Sequence, residues 1–181
     1  YAGEKYLEWL FDKNLYIQNA ANQTEGYYIN ELSNYADKLI VMSAIVTGGS
    51  KGKRIYIRKN IEKTKLYSIY NVAFINVPFV SVWSQTVSMK KETKSLSVEL
   101  LMSDLLVVVY SLRIPYLTAA KEIKKINPRA TIICIVPDLP GYMRFGKQSY
   151  VRKVLNQYNS NKLSILEKDI DGYVFYSKHM V

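Results

Sequence analysis

The sequence predicts an α/β fold in which a parallel sheet is covered by helices on both faces. Short, continuous apolar runs are typical of strands buried on both faces, and segments with helical spacing of apolar residues separate them. This alternation favours a parallel sheet, because parallel neighbours need a long crossover between them. The apolar runs lie at 38–44, 71–77, 104–111, 131–136 and 172–176.

The helices at the start and the middle of the chain are predicted from apolar residues at steps of three and four. Residues 14–35 have this spacing, and Asn14 is a suitable N-cap. A second helix is expected over 79–101, with a break near Ser95 because the lysine-rich stretch before it has no apolar face. The apolar side of that helix comprises Val80, Trp83 and Val87.

The later helices follow the same logic. Pro115 stands where the first residue of a helix is expected, and Pro128 ends that helix. Its apolar side and its basic last turn comprise Leu117, Ala120, Ile123, Lys124 and Lys125. A further helix is predicted over 150–168, with a break at 159–161 as an alternative, and another begins at Ser177.

Length and composition indicate one globular domain, 1–181. The chain has 181 residues, 49% of them hydrophobic and 22% charged. Its only cysteine is Cys134 and its only histidine is His179, which excludes an intrachain disulfide, a cysteine-based zinc site and a multi-histidine metal centre. We therefore expect no metal site. Cys134 lies within a predicted strand and is expected to be inert core.

The charge favours an anionic partner. Twenty-five Lys and Arg against 15 Asp and Glu give a formal net charge of +10. The 16 tyrosines are compatible with stacking on single-stranded nucleic acid, but many of them fall at positions expected to be half buried, so no nucleic-acid partner is expected. No apolar run is long enough to span a membrane and no signal peptide is visible, which favours the cytoplasm.

Ligands bind at the carboxyl ends of parallel strands, which selects the loops to inspect. Residues 47–58 are predicted to form a basic loop with a short edge strand, and within it GGSKGKR lacks the spacing of a phosphate-binding P-loop. Lys51, Lys53 and Arg54 are nevertheless candidates for contact with an anion or a membrane surface. A solvated loop without a ligand is the alternative.

Asp138 follows a buried strand within Pro-Asp-Leu-Pro, where the prolines stiffen the backbone and present the carboxylate at the ligand edge. It could act as a base or orient a sugar hydroxyl, and a turn aspartate is the alternative. Ser111 and Arg113 end another strand just before a helix start, which favours an anion. A surface arginine is the alternative for Arg113.

Other catalytic motifs are absent or misplaced. The sequence has no Gly-x-Gly-x-x-Gly for a dinucleotide and no Gly-x-Ser-x-Gly for a serine nucleophile. Asp169 and Asp171 form an Asp-x-Asp, which in one class of sugar transferases holds a divalent metal. Here the pair precedes a strand instead of following one, which favours a helix-to-strand turn and leaves a metal-dependent transferase as an alternative.

Several segments resemble, in the same order, bacterial glycosyltransferases of the family 4 type, many of which make exopolysaccharide or capsule. The resemblance covers most of the chain from about residue 14 onward. The matching segments are YIQNAA (16–21), NVAFINVP (71–78), YSLRIPYL (110–117), IVPDLPGYM (135–143) and DGYVFYSKHM (171–180).

The resemblance implies a Rossmann-like, acceptor-side domain, the N-terminal half of the glycosyltransferase B fold, with the C-terminal donor half absent from this chain. It implies transfer of a hexosyl-type sugar from a nucleotide-sugar donor to a glycan or lipid-linked acceptor, without a cofactor, and a fragment inactive alone. We expect Asp138 to be catalytic and the acceptor to contact Ser111, Arg113, Asn19 and Tyr142. Related sequences often carry a histidine in the loop where Arg113 stands here, so that histidine's role is open.

The preferred hypothesis is therefore an acceptor-binding glycosyltransferase domain in polysaccharide synthesis, peripheral on the inner face of the cell membrane. The alternative is a non-catalytic basic α/β module that binds an anionic partner, either membrane lipid or nucleic acid.

Overall fold

The structure is a computed structural model that describes residues 3, 6, 8, 19–45, 55–78, 80–101, 104–137 and 150–176. Its helices are α1 (Asn19–Ser33), α2 (Val80–Ser95), α3 (Ser97–Leu101), α4 (Ile114–Ile126) and α5 (Tyr150–Leu166), with a 3-10 turn at Glu167–Asp169. Its strands are β1 (Leu39–Ser43), β2 (Tyr56–Ile57), β3 (Asn60–Lys63), β4 (Tyr67–Asn71), β5 (Phe74–Ile75), β6 (Leu106–Tyr110), β7 (Thr131–Val136) and β8 (Gly172–Phe175). The fold is α/β and includes a parallel sheet, as predicted.

Two compact units divide the chain, Tyr1–Met89 and Lys90–Val181. The first contains a three-stranded sheet in the order β1-β4-β3, in which β1 and β4 are parallel and β3 is antiparallel to β4. A separate antiparallel pair joins β2 to β5. Ile57, Ile69 and Phe74 are buried in this unit. The expectation of one domain, 1–181, stays a prediction.

Two predictions for the first unit are wrong. No single strand spans 71–77: β4 covers Tyr67–Asn71, and within the predicted range only Phe74–Ile75 forms a further strand, β5. The sequence of β4, YSIYN, is not a continuous apolar run, so it was not recognised as a strand. The sheet is also not wholly parallel. Only three residues connect β3 to β4, and a tight turn closes them where Thr64 Oγ1 accepts the Tyr67 N–H at 3.0 Å. So short a connection permits only an antiparallel pair. The short edge strand expected in 47–58 is confirmed as β2.

Helix α2 exposes its apolar side and buries mostly polar residues, which is the reverse of an ordinary surface helix. The side predicted to be apolar is solvent-exposed, with Trp83 at 65% exposure and Val87 at 48%. The buried residues of the helix are mostly polar: Ser84, Gln85, Thr86, Met89, Glu92 and Thr93. Ser84 Oγ accepts the N–H of Ile75 at 2.9 Å, which ties the helix to β5. The break near Ser95 is confirmed, since α2 ends there and α3 begins at Ser97.

The second unit contains a parallel sheet in the order β6-β7-β8, and its three strands fall where the sequence predicts them. Helix α4 joins β6 to β7, and α5 lies between β7 and β8 in the chain. The core of this unit comprises Val109, Ile114, Leu117, Ala120, Ile132, Cys134, Val136 and Leu166. The predicted inner face of α4 is therefore confirmed.

The ends of α4 match the prediction closely. The helix begins at Ile114, one residue before the expected Pro115, and its last turn carries Lys124 and Lys125. Asn127 caps the other end, where its N–H donates to Ile123 O at 2.7 Å and its buried Nδ2 donates to Leu100 O at 2.9 Å. Helix α5 runs unbroken, so the break considered at 159–161 is wrong.

Candidate functional site

The carboxyl ends of β6 and β7 lie side by side in the second unit. Tyr110 is opposite Ile135, and the N–H of Ser111 donates to Ile135 O at 2.8 Å. Strand β7 ends at Val136, one residue before Pro137. The turn that begins at Ser111 therefore shares a sheet edge with the segment leading to Asp138, and this edge is where ligands bind in parallel sheets.

Ser111 is held in a left-handed backbone conformation. Its φ is 76°, the sole positive φ among the non-glycine residues that the structure describes. Its carbonyl accepts the N–H of Arg113 at 2.8 Å, so the chain leaves β6 and enters α4 within three residues. A left-handed conformation costs a residue with a Cβ about 1–2 kcal/mol, and the surrounding hydrogen bonds impose it here.

Replacing Ser111 by Gly is expected to raise the free energy of unfolding by up to about 1 kcal/mol, because glycine adopts a positive φ without steric cost. Ser111→Val is expected to lower it, since a β-branched residue fits this region poorly. Urea unfolding of the two variants and wild type measures both effects. Equal stabilities for the Gly and Val variants would contradict the strained geometry.

Arg113 is the residue before the first turn of α4, and its side chain is half buried. Its guanidinium carbon lies 4.9 Å from the centre of the Tyr116 ring, and its Nη1 donates to Tyr116 Oη at 3.1 Å. These contacts hold a cation beside the N-terminus of a helix, where the first N–H groups have no intrahelical partner. Arg113 has no side-chain cap bond to the helix.

Ser111 and Arg113 are thus brought together at one edge. Tyr116 was not among the residues predicted from the sequence. It follows Arg113 by three residues at the start of a helix, and that spacing indicates that the two side chains are neighbours. Of the other expected acceptor contacts, Asn19 is the first residue of α1. The remaining candidates, Lys51, Lys53, Arg54, Asp138 and Tyr142, lie outside the described residues and stay predictions.

A second carboxyl edge occurs in the first unit, where the parallel strands β1 and β4 end together. Ser43 is opposite Asn71, and Ser43 O accepts the N–H of Val72 at 2.9 Å. Ser43, Asn71 and Asn76 are buried polar residues of this unit. They were not among the residues predicted from the sequence, although a polar residue at the end of a strand is the signal that selected Ser111.

Asp169 and Asp171 lie at the opposite edge of the second sheet, in the turn that leads from the 3-10 helix into β8. Asp169 Oδ2 is 3.0 Å from Lys121 Nζ, and Asp171 Oδ2 accepts from Lys124 Nζ at 2.9 Å. Asp171 Oδ2 also accepts the N–H of Ile132 at 2.8 Å. The expected helix-to-strand turn is confirmed, and both carboxylates have lysine partners within it.

Two carboxyl groups of this unit have lowered pKa values. The pKa of Asp171 is held below its usual 3.8 by the Ile132 N–H and then by Lys124. Burial acts to raise the pKa of Glu122, but hydrogen bonds from Lys125 and Lys90 outweigh it and hold the pKa below 4.5. The folded state therefore favours both ionised carboxylates.

Acid is accordingly expected to destabilise the protein. The stabilisation from these two groups is complete above about pH 4.5 and is lost as the pH falls through their lowered folded-state pKa values. Glu122→Gln and Asp171→Asn should each flatten the loss of stability below pH 4.5, as measured by thermal unfolding across a pH series. Glu31→Gln, an exposed site on α1, is the control. A variant with the acid sensitivity of wild type would contradict the assignment.

Cys134 is completely buried in β7, and burial raises the pKa of its thiol to about 12. The thiolate is therefore scarce at neutral pH, and the prediction of an inert core cysteine is confirmed. Within the described part of the chain, no cluster of three or more His, Cys, Asp or Glu side chains could hold a metal ion. No helix in that part has the length and apolar character needed to cross a membrane.

Comparison with known proteins leaves the family open. No family model matches the chain, and no curated protein matches it. A crystal structure of MnmC2 from Aquifex aeolicus is similar at 12% sequence identity with a TM-score of 0.28. That similarity covers 97% of this chain and 56% of the MnmC2 chain, so the present chain spans little more than half of that structure. A TM-score this low carries no argument about function.

Proposed function

We propose that this chain is the acceptor-binding domain of a glycosyltransferase, the N-terminal half of a glycosyltransferase B fold. The observation that supports it best is the shared edge of β6 and β7. There Ser111 and Arg113 stand beside the segment that leads to Asp138. The sequence resemblance supplies the reaction class, and the parallel sheet of the second unit is compatible with it.

In this proposal Arg113 and the N-terminus of α4 bind an anionic part of the acceptor, such as the diphosphate of a lipid-linked sugar. The Tyr116 ring and hydroxyl restrict the guanidinium, so less side-chain entropy is lost when an acceptor binds. Asp138 orients the acceptor hydroxyl or removes its proton. The nucleotide-sugar donor is a substrate, and no cofactor is required.

The first test measures nucleotide release by the protein in the form that the cell makes. The protein is incubated with a panel of nucleotide sugars, and the released nucleotide is measured with and without lipid-linked or glycan acceptors. We expect release that depends on the acceptor. In parallel, amide NMR shifts of residues 111–114 and 116 are followed during titration with a sugar-diphosphate lipid analogue. The proposal fails if no donor is consumed and these amides do not respond.

The alternative function, a basic module that binds an anionic partner without catalysis, is favoured by the net charge of +10. It predicts binding that weakens steeply with salt and no consumption of nucleotide sugar. Gel-shift assays with single-stranded nucleic acid across a salt series measure that binding. Acceptor-dependent sugar transfer would exclude this alternative.

A further inference from the structure

The exposed side of α2 has a pattern that core packing does not explain. Val80, Trp83 and Val87 follow one another at steps of three and four, so they share one face of the helix. All three are exposed, at 37%, 65% and 48%. An apolar side chain as large as Trp83 at the surface is informative when its neighbours on the same face are apolar too.

The same stripe continues into basic residues. Lys91 and Lys94 follow Val87 at further steps of four and three within α2, and both are exposed. The neighbouring Lys90 lies off the stripe, and its Nζ is 3.3 Å from Glu122 Oε1. One face of a single helix thus presents an aromatic and two valines followed by two ammonium groups.

We propose that this stripe, Val80, Trp83, Val87, Lys91 and Lys94, docks the protein on an anionic lipid bilayer. An amphipathic helix at such an interface places its apolar residues at the boundary of headgroups and acyl chains, and its lysines contact anionic headgroups. Tryptophan prefers this boundary because its ring is apolar and its N–H is polar. The net charge of +10 complements an anionic surface.

A bilayer fits this stripe better than a folded protein partner does. The apolar part of the stripe has three residues, and only Trp83 among them is large. The polar residues on the opposite side of α2 are buried within the protein, so the helix stays folded while its exposed face is presented. Surface docking of this kind does not depend on sugar transfer.

Vesicle sedimentation tests the proposal with purified protein and vesicles of equal parts phosphatidylcholine and phosphatidylglycerol. Wild type should bind these and not pure phosphatidylcholine. Trp83→Ser should weaken binding about tenfold through lost apolar contact. The double variant Lys91→Ser with Lys94→Ser should weaken it about 30-fold at low salt, and this difference should shrink as salt screens the charges.

Matched control variants test whether the loss of vesicle binding is specific to the stripe or follows from removing any exposed aromatic residue or any two lysines. Tyr158→Ser removes an exposed aromatic from α5, and Lys65→Ser with Lys168→Ser removes the same charge from exposed positions elsewhere. Both should bind nearly as wild type does. Controls that weaken binding as much as the stripe variants do would overturn the proposal, and so would a wild type that stays in the supernatant.

Fluorescence gives a measurement that a folding defect cannot imitate. The chain has two tryptophans, so Trp9→Phe leaves Trp83 as the reporter. Its emission should shift to the blue on adding the anionic vesicles, because the indole enters a less polar environment. No shift, or dimers that depend on Trp83 without any vesicle binding, would assign the stripe to something other than a bilayer.

Discussion

On the proposed function, replacing Asp138 by Asn is expected to lower the rate of sugar transfer by about 10²–10⁴-fold, the usual contribution of a positioned acid or base. The amide keeps the size of the side chain but cannot accept the acceptor's proton. Strand β7 ends at Val136, at the same edge as Ser111, and Asp138 is two residues further along the sequence. The loss should appear in kcat, measured by release of nucleotide with saturating acceptor.

Asp104→Asn is the matched control, since Asp104 is an exposed carboxylate just before β6, at the amino end of the sheet. It should transfer sugar at the wild-type rate. Arg113→Ala in the same assay should mainly raise the KM for an anionic acceptor, and Arg113→Lys should recover it only in part, because lysine lacks the planar fork of donors. An Asp138→Asn enzyme as fast as wild type would remove Asp138 from the site.

Replacing Leu117 by Ala is expected to lower the free energy of unfolding by about 3 kcal/mol. Leu117 is 1% exposed in the first turn of α4 and belongs to the core cluster that includes Ile132 and Val136. Truncation loses the transfer free energy of the removed carbons and leaves a cavity that the surrounding strands fill only in part. Urea unfolding at neutral pH measures the difference.

Leu101→Ala provides the comparison, because Leu101 is an exposed leucine at the end of α3. Its effect should stay within about 0.5 kcal/mol. Similar losses for the two variants would mean that Leu117 does not occupy the core described for it.

The second unit could be predicted almost completely from its sequence. Its central strand β7 is largely buried and β6 pairs with it, so the runs TIICIV and LVVVY are almost entirely apolar and stand out in the sequence. Pro115, the two lysines of the last turn and Pro128 then define α4 to within a residue, because each acts through local backbone chemistry.

The strands and the helix of the first unit were harder to predict, because their burial depends on tertiary contacts that local sequence does not specify. β4 mixes tyrosine, serine and asparagine with one isoleucine, and tertiary contacts bury its Ile69 and Asn71. In α2 the periodicity correctly grouped Val80, Trp83 and Val87 on one face. Spacing alone does not say which face is buried, and here the polar one is.

The candidate site was predictable in part. The rule that ligands bind at strand carboxyl ends selected Ser111 and Arg113, and the structure has them between the end of β6 and the start of α4, as expected; their role in a site stays a prediction. The left-handed backbone of Ser111 was not foreseeable, because serine carries no signal for a positive φ such as glycine or asparagine gives. The Arg113–Tyr116 pairing depends on rotamers that sequence does not specify.

The turn at Asp171 has a consequence for how β8 aligns. The Asp171 carboxylate accepts hydrogen bonds from the N–H of Ile132, near the start of β7, and from Lys124 of α4. The N–H of Asp171 in turn donates to Ile132 O at 2.9 Å. A shift of β8 by one residue along β7 would break all three bonds and exchange the side chains on its two faces. Asp171 therefore fixes the register of β8, so that an edge strand of only four residues pairs with β7 in one alignment.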